Sequence, residues 1–185
     1  MITDPLVPLI SRLRLTPDIM TTIGLFINLV AAVIIAFGHL VAGGLIFLLA
    51  GLFDLLDGAL ARYMEKTSRF GALFDSTVDR ITEGALFLSF IFITGPGVWP
   101  YDVTLQLVLI FLAMIGSFLT SYIRARAEGL NIDCTVGLFT RVERVIILAL
   151  GLLLNQVFIA LAIVVVLSFV TVGQRFAHVW RQARK

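Results

Sequence analysis

Apolar residues gather in six blocks along the chain, and charged residues fall into the gaps between them or cluster at one end of each block. The blocks run roughly from Thr21 to Gly38, Ala42 to Arg62, Gly71 to Thr94, Val103 to Tyr122, Val142 to Leu154 and Val157 to Phe176. Crossing about 30 Å of hydrocarbon takes about 20 residues of helix, so the pattern predicts six transmembrane helices. The fifth block is short; an earlier start within VGLFT, ahead of Arg141, would lengthen it and turn Arg141 and Arg144 toward protein rather than lipid. Ahead of the first block, Ile2, Leu6, Leu9, Ile10 and Leu13 share one helical stripe while Thr3, Asp4, Ser11, Arg12 and Arg14 fall elsewhere. That predicts a short amphipathic helix lying on the inner leaflet. No internal repeat, low-complexity tract or linker stands out. The expectation is an all-α integral membrane protein of one domain over 1–185, with an interfacial helix in 1–15 and a six-helix bundle in 16–180.

Composition sharpens this. The chain is 59% hydrophobic and 14% charged, with a mean hydropathy of +1.04, whereas an ordinary soluble domain is about a quarter charged. A soluble enzyme or a nucleic-acid-binding module is excluded, and no nucleic-acid partner is expected. The first apolar stretch is broken by Asp4, Pro5, Pro8, Arg12 and Arg14, which is not the layout of a signal peptide, so insertion is expected to rest on the helices themselves. Cys134 is the sole cysteine and allows no internal disulfide. The connections at His39 to Val41, at TGPGVWPYD and at Asn155 with Gln156 are brief, and those on the other side are longer and charged. All 14 basic residues then fall on one side, which the positive-inside rule makes cytosolic. The predicted location is a multi-pass protein of the cytoplasmic membrane with both termini in the cytosol. Trp99, Tyr101 and Trp180 suit the two interfaces as ring anchors.

The chemistry is concentrated between Asp54 and Asp79. Asp54 and Asp57 are three positions apart and Asp75 and Asp79 four apart, so on helices each pair projects from one face. Two such faces turned together make an acidic pocket, in which like charges oppose one another's ionisation until divalent cations relieve the repulsion. Oxygen ligands with no His or Cys close by favour magnesium or manganese over zinc. From a start near Ala42, Asp54 lies about 18 Å along its helix at 1.5 Å per residue, still inside the hydrocarbon. Ionisable groups at that depth line wet cavities or pair with one another. Gly58 and Ala61 lie on nearly the face of Asp54, where small side chains leave room for a ligand, although close helix packing would use them equally well. Arg62, one turn on, offers a guanidinium fork to phosphate.

Asp54, Asp57, Gly58, Ala61, Arg62, Gly71, Asp75 and Asp79 together match the signature DxxDGxxAR, eight residues, GxxxDxxxD. On these residues the chain resembles the CDP-alcohol phosphotransferases. The resemblance implies six transmembrane helices, a cytosol-facing active site, usually a homodimer, and transfer of a phosphatidyl or related group from a CDP-linked lipid to an alcohol with release of CMP. It further implies that Asp54, Asp57, Asp75 and Asp79 hold two divalent cations, Mg2+ or Mn2+, with Asp79 also the general base. TPDIMT, with Thr16, Pro17, Asp18 and Thr21, is similar to the family's nucleotide-side motif, with Asp18 where Asn is common. Gly58, Ala61, Arg62 and Ser68 are similar in position to residues around the CDP moiety.

A looser resemblance narrows the acceptor. SYIRARAEG at 121–129, GLFTRVER at 137–144 and TVGQR at 171–175 are similar to the branch that makes phosphatidylinositol phosphate. In that branch basic residues at positions like Arg124, Arg141, Arg144 and Arg175 hold the acceptor's phosphate, although Arg124 is commonly Lys there. The substrates so implied are CDP-diacylglycerol or CDP-archaeol together with inositol 1-phosphate or another phosphorylated alcohol, glycerol 3-phosphate being the nearest rival. From the residues alone, these arginines would give an anionic acceptor a landing place beside the acids, or would simply snorkel to lipid headgroups. Glu128 and Glu143 are expected to orient neighbouring arginines, and Glu83 to support Asp79 or pack. A divalent-cation transporter is the rival class, because acids in membrane helices also mark ion paths.

Overall fold

The computed structural model describes the backbone of residues 16–63, 68–93 and 102–184, and the side chains of these except 55–63. The expected interfacial helix of 1–15, the loop anchors Trp99 and Tyr101, and the side chains of Asp57, Gly58, Ala61 and Arg62 lie outside the described residues. Among the described residues six helices are found in order: α1 Pro17–Ala36, α2 Leu40–Tyr63, α3 Arg69–Phe92, α4 Val103–Glu128, α5 Arg141–Leu153 and α6 Val157–Gln182. No strand occurs among the described residues. By length and composition α1, α4 and α6 can each cross a membrane, and Leu40–Asp54 is a shorter apolar run within α2. Their outward faces carry large apolar side chains, among them Phe26 at 62% exposure and Phe111 at 57%, an arrangement that only a lipid surround makes favourable. The protein is an all-α integral membrane protein.

The helices form two compact units, Met1–Phe92 and Ile93–Lys185. In the first, α1 packs against both α2 and α3. It begins at Thr16, whose side chain accepts from the Ile19 N–H, with Pro17 opening the helix. Its buried stripe is built of small and polar residues, including Thr21, Gly24, Asn28, Ala31 and Ala32, which lets neighbouring backbones approach closely. A β-carbon on Gly43 would stand 2.3 Å from Ile35, so the α1–α2 hairpin closes only around glycine there. Gly38 makes the turn at φ +86.

In the second unit α6 packs against α4 and α5. Close approach is again made by small residues: Gly116 lies against Ser168 and Phe169 where α4 meets α6, and Gly151 against Ala160 where α5 meets α6. Several boundaries differ from the sequence expectation. The helices α4 and α6 continue past Tyr122 and Phe176 to Glu128 and Gln182, because the charged residues that end the apolar runs are still good helix formers and Arg124 pairs with Glu128 one turn on. The fifth helix does not reach back into VGLFT. The Leu138 and Phe139 N–H groups donate instead to Gln174 Oε1 and Thr171 Oγ1 of α6, each at 3.1 Å. Thr140 then caps a helix that starts at Arg141, its N–H donating to Glu143 at 2.7 Å.

Candidate active site

The acids of the first unit sit on the two helices that flank α1. On α3, Asp75 is half-buried and Asp79, one turn further, is 8% exposed. Arg80 donates to Asp79 Oδ2 at 3.2 Å. On α2, the Asp54 carboxylate is pressed onto α1: a β-carbon built on Gly24 would be 3.3 Å from Asp54 Oδ1. At the start of α3 the Ser68 hydroxyl accepts from the Gly71 N–H at 2.8 Å, and Asp18 Oδ1 would be 3.4 Å from a β-carbon on Gly71. Ser68 and Asp18, both predicted on the nucleotide side, are thus brought together around Gly71 at a helix N-terminus, where backbone N–H groups attract negative charge. Thr21, by contrast, spends its hydroxyl on the Pro17 carbonyl at 3.1 Å.

The donor set fits a hard divalent cation. Asp54, Asp75 and Asp79 offer only carboxylate oxygens, and the missing side chain at Gly24 lets one of them settle against the helix backbone. His39, the one histidine of this unit, precedes α2, about 22 Å from Asp54 along the helix axis at 1.5 Å per residue. No cluster of three His, Cys, Asp or Glu side chains with the spacing of a metal site occurs among the described residues, and Asp57 has its side chain outside them.

In the second unit two of the four predicted arginines are buried together. Arg144 is 2% exposed and Arg175 5% exposed. Both reach Thr120: Arg144 Nη1 donates to its hydroxyl at 3.2 Å and Arg175 Nη1 to its carbonyl at 2.5 Å. Arg175 Nε donates to the Val136 carbonyl at 2.9 Å, so this arginine also holds the loop ahead of α5. Two guanidinium groups side by side in a dry place repel one another, and an anion between them offsets that cost. Arg141 is half-buried at the start of α5. Arg124 is exposed near the end of α4 and paired with Glu128 at 2.9 Å as expected. Glu143 binds Thr140 and completes the capping box of α5 from its third position, a role beyond the expected orienting of a neighbouring arginine.

The match of the CDP-alcohol phosphatidyltransferase family model runs over residues 14–173 and takes in both acid-bearing helices and the buried arginine of α5. The chain belongs to this family. A CDP-alcohol phosphotransferase of this kind is an enzyme. Among its relatives, the phosphatidylinositol phosphate synthase of Mycobacteroides abscessus is 37% identical, over 94% of this chain and 81% of the relative. The archaetidylinositol phosphate synthase of Methanothermobacter thermautotrophicus is 34% identical, over 96% and 89%. Two crystal structures of the Mycobacterium tuberculosis phosphatidylinositol phosphate synthase are similar in fold. The one with CDP-DAG bound has a TM-score of 0.82 at 31% identity and covers 97% of this chain and 94% of that one. The one in complex with manganese and citrate has a TM-score of 0.84 at 30% identity, with coverage of 96% and 88%.

Four side chains or gaps of this CDP-alcohol phosphotransferase escaped the sequence reading. Gly24 and Arg80 touch two of the aspartates, and Thr120 and Thr171 hold the arginines and their loop. Gly24 falls two turns into α1, on the stripe of Thr21 and Asn28, and that polar stripe in an apolar helix was the available signal.

Proposed function

We propose that this CDP-alcohol phosphotransferase moves the phosphatidyl or archaetidyl group of a CDP-linked lipid to inositol 1-phosphate and releases CMP. The observation that carries this reading is the burial of Arg144 and Arg175 around Thr120 in a chain that also holds all eight positions of the aspartate signature. A free alcohol offers two buried guanidinium groups only neutral hydroxyl oxygens, whereas a phosphorylated alcohol offers them an anion for charge-assisted hydrogen bonds. The relatives named for inositol phosphate lipids, and the relative's structure with CDP-DAG, support the same reading.

In the proposed reaction Asp54, Asp57, Asp75 and Asp79 hold two divalent cations, magnesium or manganese, as the manganese in a relative's structure supports. When bound, these ions polarise the diphosphate and stabilise the charge that develops on CMP. Pro17, Asp18, Thr21, Gly58, Ala61, Arg62 and Ser68 line the CDP side. Arg124, Arg141, Arg144 and Arg175 take the acceptor's phosphate, the two buried ones dominating. Asp79 removes the proton of the acceptor hydroxyl, whose oxygen attacks the lipid-bearing β-phosphorus in line as the bond to the CMP oxygen breaks. Because a carboxylate is a weak base, positioning and charge stabilisation supply most of the acceleration. The family match spans both compact units, which supports a single catalytic domain. The expected placement of all 14 basic residues on one side supports a cytosolic active site in the cytoplasmic membrane, and the family resemblance supports a homodimer.

The test is CMP release by purified protein with magnesium, CDP-diacylglycerol or CDP-archaeol, and a panel of acceptors. Inositol 1-phosphate is expected to give the highest kcat/KM. Preference for glycerol 3-phosphate would overturn the acceptor while leaving the reaction class; metal flux in liposomes without CMP would overturn the class.

A further inference from the structure

The helices α4 and α6 carry the same eight-residue pattern, SFLTSYIR at 117–124 and SFVTVGQR at 168–175: Ser, Phe, an aliphatic residue, Thr, three variable positions, Arg. The two copies are also matched in space. Gly116 lies against Ser168, and Thr120 binds Arg175, so positions rise together along both helices and the helices run parallel. Ser117, Thr120, Ser168 and Thr171 are all at most 1% exposed.

What the two threonines do is the informative part. The Thr120 hydroxyl donates to the Ser117 carbonyl at 2.7 Å, which uses its only proton and leaves its lone pairs for an incoming donor. That donor is Arg144 of α5. The carbonyl of the same residue takes Arg175, so one residue ties two buried cations together. The Thr171 hydroxyl accepts from the Phe139 N–H, two residues ahead of α5. Its methyl group fills the space beside Gly137, where a β-carbon would come within 2.7 Å. Each copy of the pattern therefore grips the entrance to α5, one by its arginine and the other by the chain that leads into it.

We infer that Thr120 and Thr171 are positioning residues for the acceptor's phosphate, their hydroxyls fixing the start of α5 so that Arg144 and Arg175 act on one anion; this rests on the acceptor reading proposed above. Neither threonine touches the acceptor. The selectivity of the enzyme for a phosphorylated acceptor thus depends on neutral hydroxyls as well as on the arginines.

The experiment measures kcat and the KM of both substrates for Thr120→Val, Thr120→Ser, Thr171→Val and Arg144→Ala, using inositol 1-phosphate and CDP-diacylglycerol, with thermal unfolding of each variant. Thr120→Val keeps the shape and removes the hydroxyl. It is expected to raise the KM for inositol 1-phosphate about tenfold, the size of one lost hydrogen bond to a charged group, with kcat and the KM for CDP-diacylglycerol within about twofold. Thr120→Ser restores the acceptor KM, and Thr171→Val raises it about threefold, a smaller effect because its partner is an uncharged N–H. Unchanged acceptor KM in both valine variants, equal losses for both substrates, or a serine variant no better than valine would overturn the proposal. Arg144→Ala separates the two readings: if it raises the acceptor KM while the valine variants do not, only the positioning role falls. If it leaves the acceptor KM unchanged, the acceptor pocket falls with it. Thr171→Val leaves both arginine bonds to Thr120 in place, so it decides the matter if Thr120→Val does not fold.

Discussion

The Asp54 carboxylate rests against α1 at Gly24, with Oδ1 3.3 Å from the point where a β-carbon on that glycine would stand. No larger residue fits without moving the carboxylate. The helix that carries no member of the aspartate signature therefore determines where its first aspartate sits.

Replacing Gly24 is expected to act through metal binding. Gly24→Ala displaces the carboxylate by a few tenths of an ångström and Gly24→Val by more, so the manganese concentration for half-maximal CMP release should rise in that order, about 10-fold for valine. Manganese calorimetry on the enzyme without substrate checks this apart from turnover. Wild-type affinity in Gly24→Val would show that the contact does not position Asp54.

Asp79→Asn keeps the shape of the side chain and removes the proposed base. Turnover should fall by about 10²- to 10⁴-fold, while retention of CDP-diacylglycerol in an equilibrium binding assay stays near that of the wild type. Turnover close to wild type would assign the proton to another group.

Gly137 stands at φ +134 with no room for a β-carbon beside Thr171. Gly137→Ala combines backbone strain with a clash and should cost about 1–3 kcal/mol, seen as a lower Tm in detergent. Because the loop also receives Arg175 through the Val136 carbonyl, the acceptor KM should rise with the loss of stability. An unshifted Tm would contradict the close contact of Gly137 with Thr171.

Burial pushes the Cys134 thiol up from its ordinary value, against the pull of Arg175 and Arg124. A raised pKa means less thiolate at any pH below it, and the thiolate is the reactive form. Maleimide labelling at pH 7.5 should be slow in the folded protein, quicken as pH rises toward and past 9, and become fast on denaturation. As the sole cysteine, Cys134 reports this without interference. Rapid labelling of the folded protein at pH 7.5 would show the thiol exposed.

Hydropathy located all six helices because membrane helices must be apolar over their full crossing, and the spacing of Asp54, Asp75 and Asp79 marked out the acidic helices because chemistry in lipid needs charges that packing does not. Arg144 and Arg175 were singled out by the resemblance of GLFTRVER and TVGQR to a branch of the family, since the residues alone left snorkelling to headgroups open. The start of α5 was not legible: whether VGLFT coils or extends depends on Thr171 and Gln174 accepting its N–H groups from a helix more than thirty residues away. Gly24 looked like any small residue in a membrane helix until Asp54 was found against it. Thr120 hid within an apolar run, and its pattern was recognisable only beside the second copy at Thr171. Relations between helices decide these roles, and a single strand of letters carries them only where the same pattern occurs twice.

Because α1 packs against both α2 and α3, any tilt it takes to match the thickness of the surrounding bilayer reaches both acid-bearing helices together. Short-chain and long-chain nanodiscs holding the same enzyme are therefore expected to differ in the manganese concentration needed for half-maximal CMP release, and equal requirements would show that α1 does not transmit bilayer thickness to the acids.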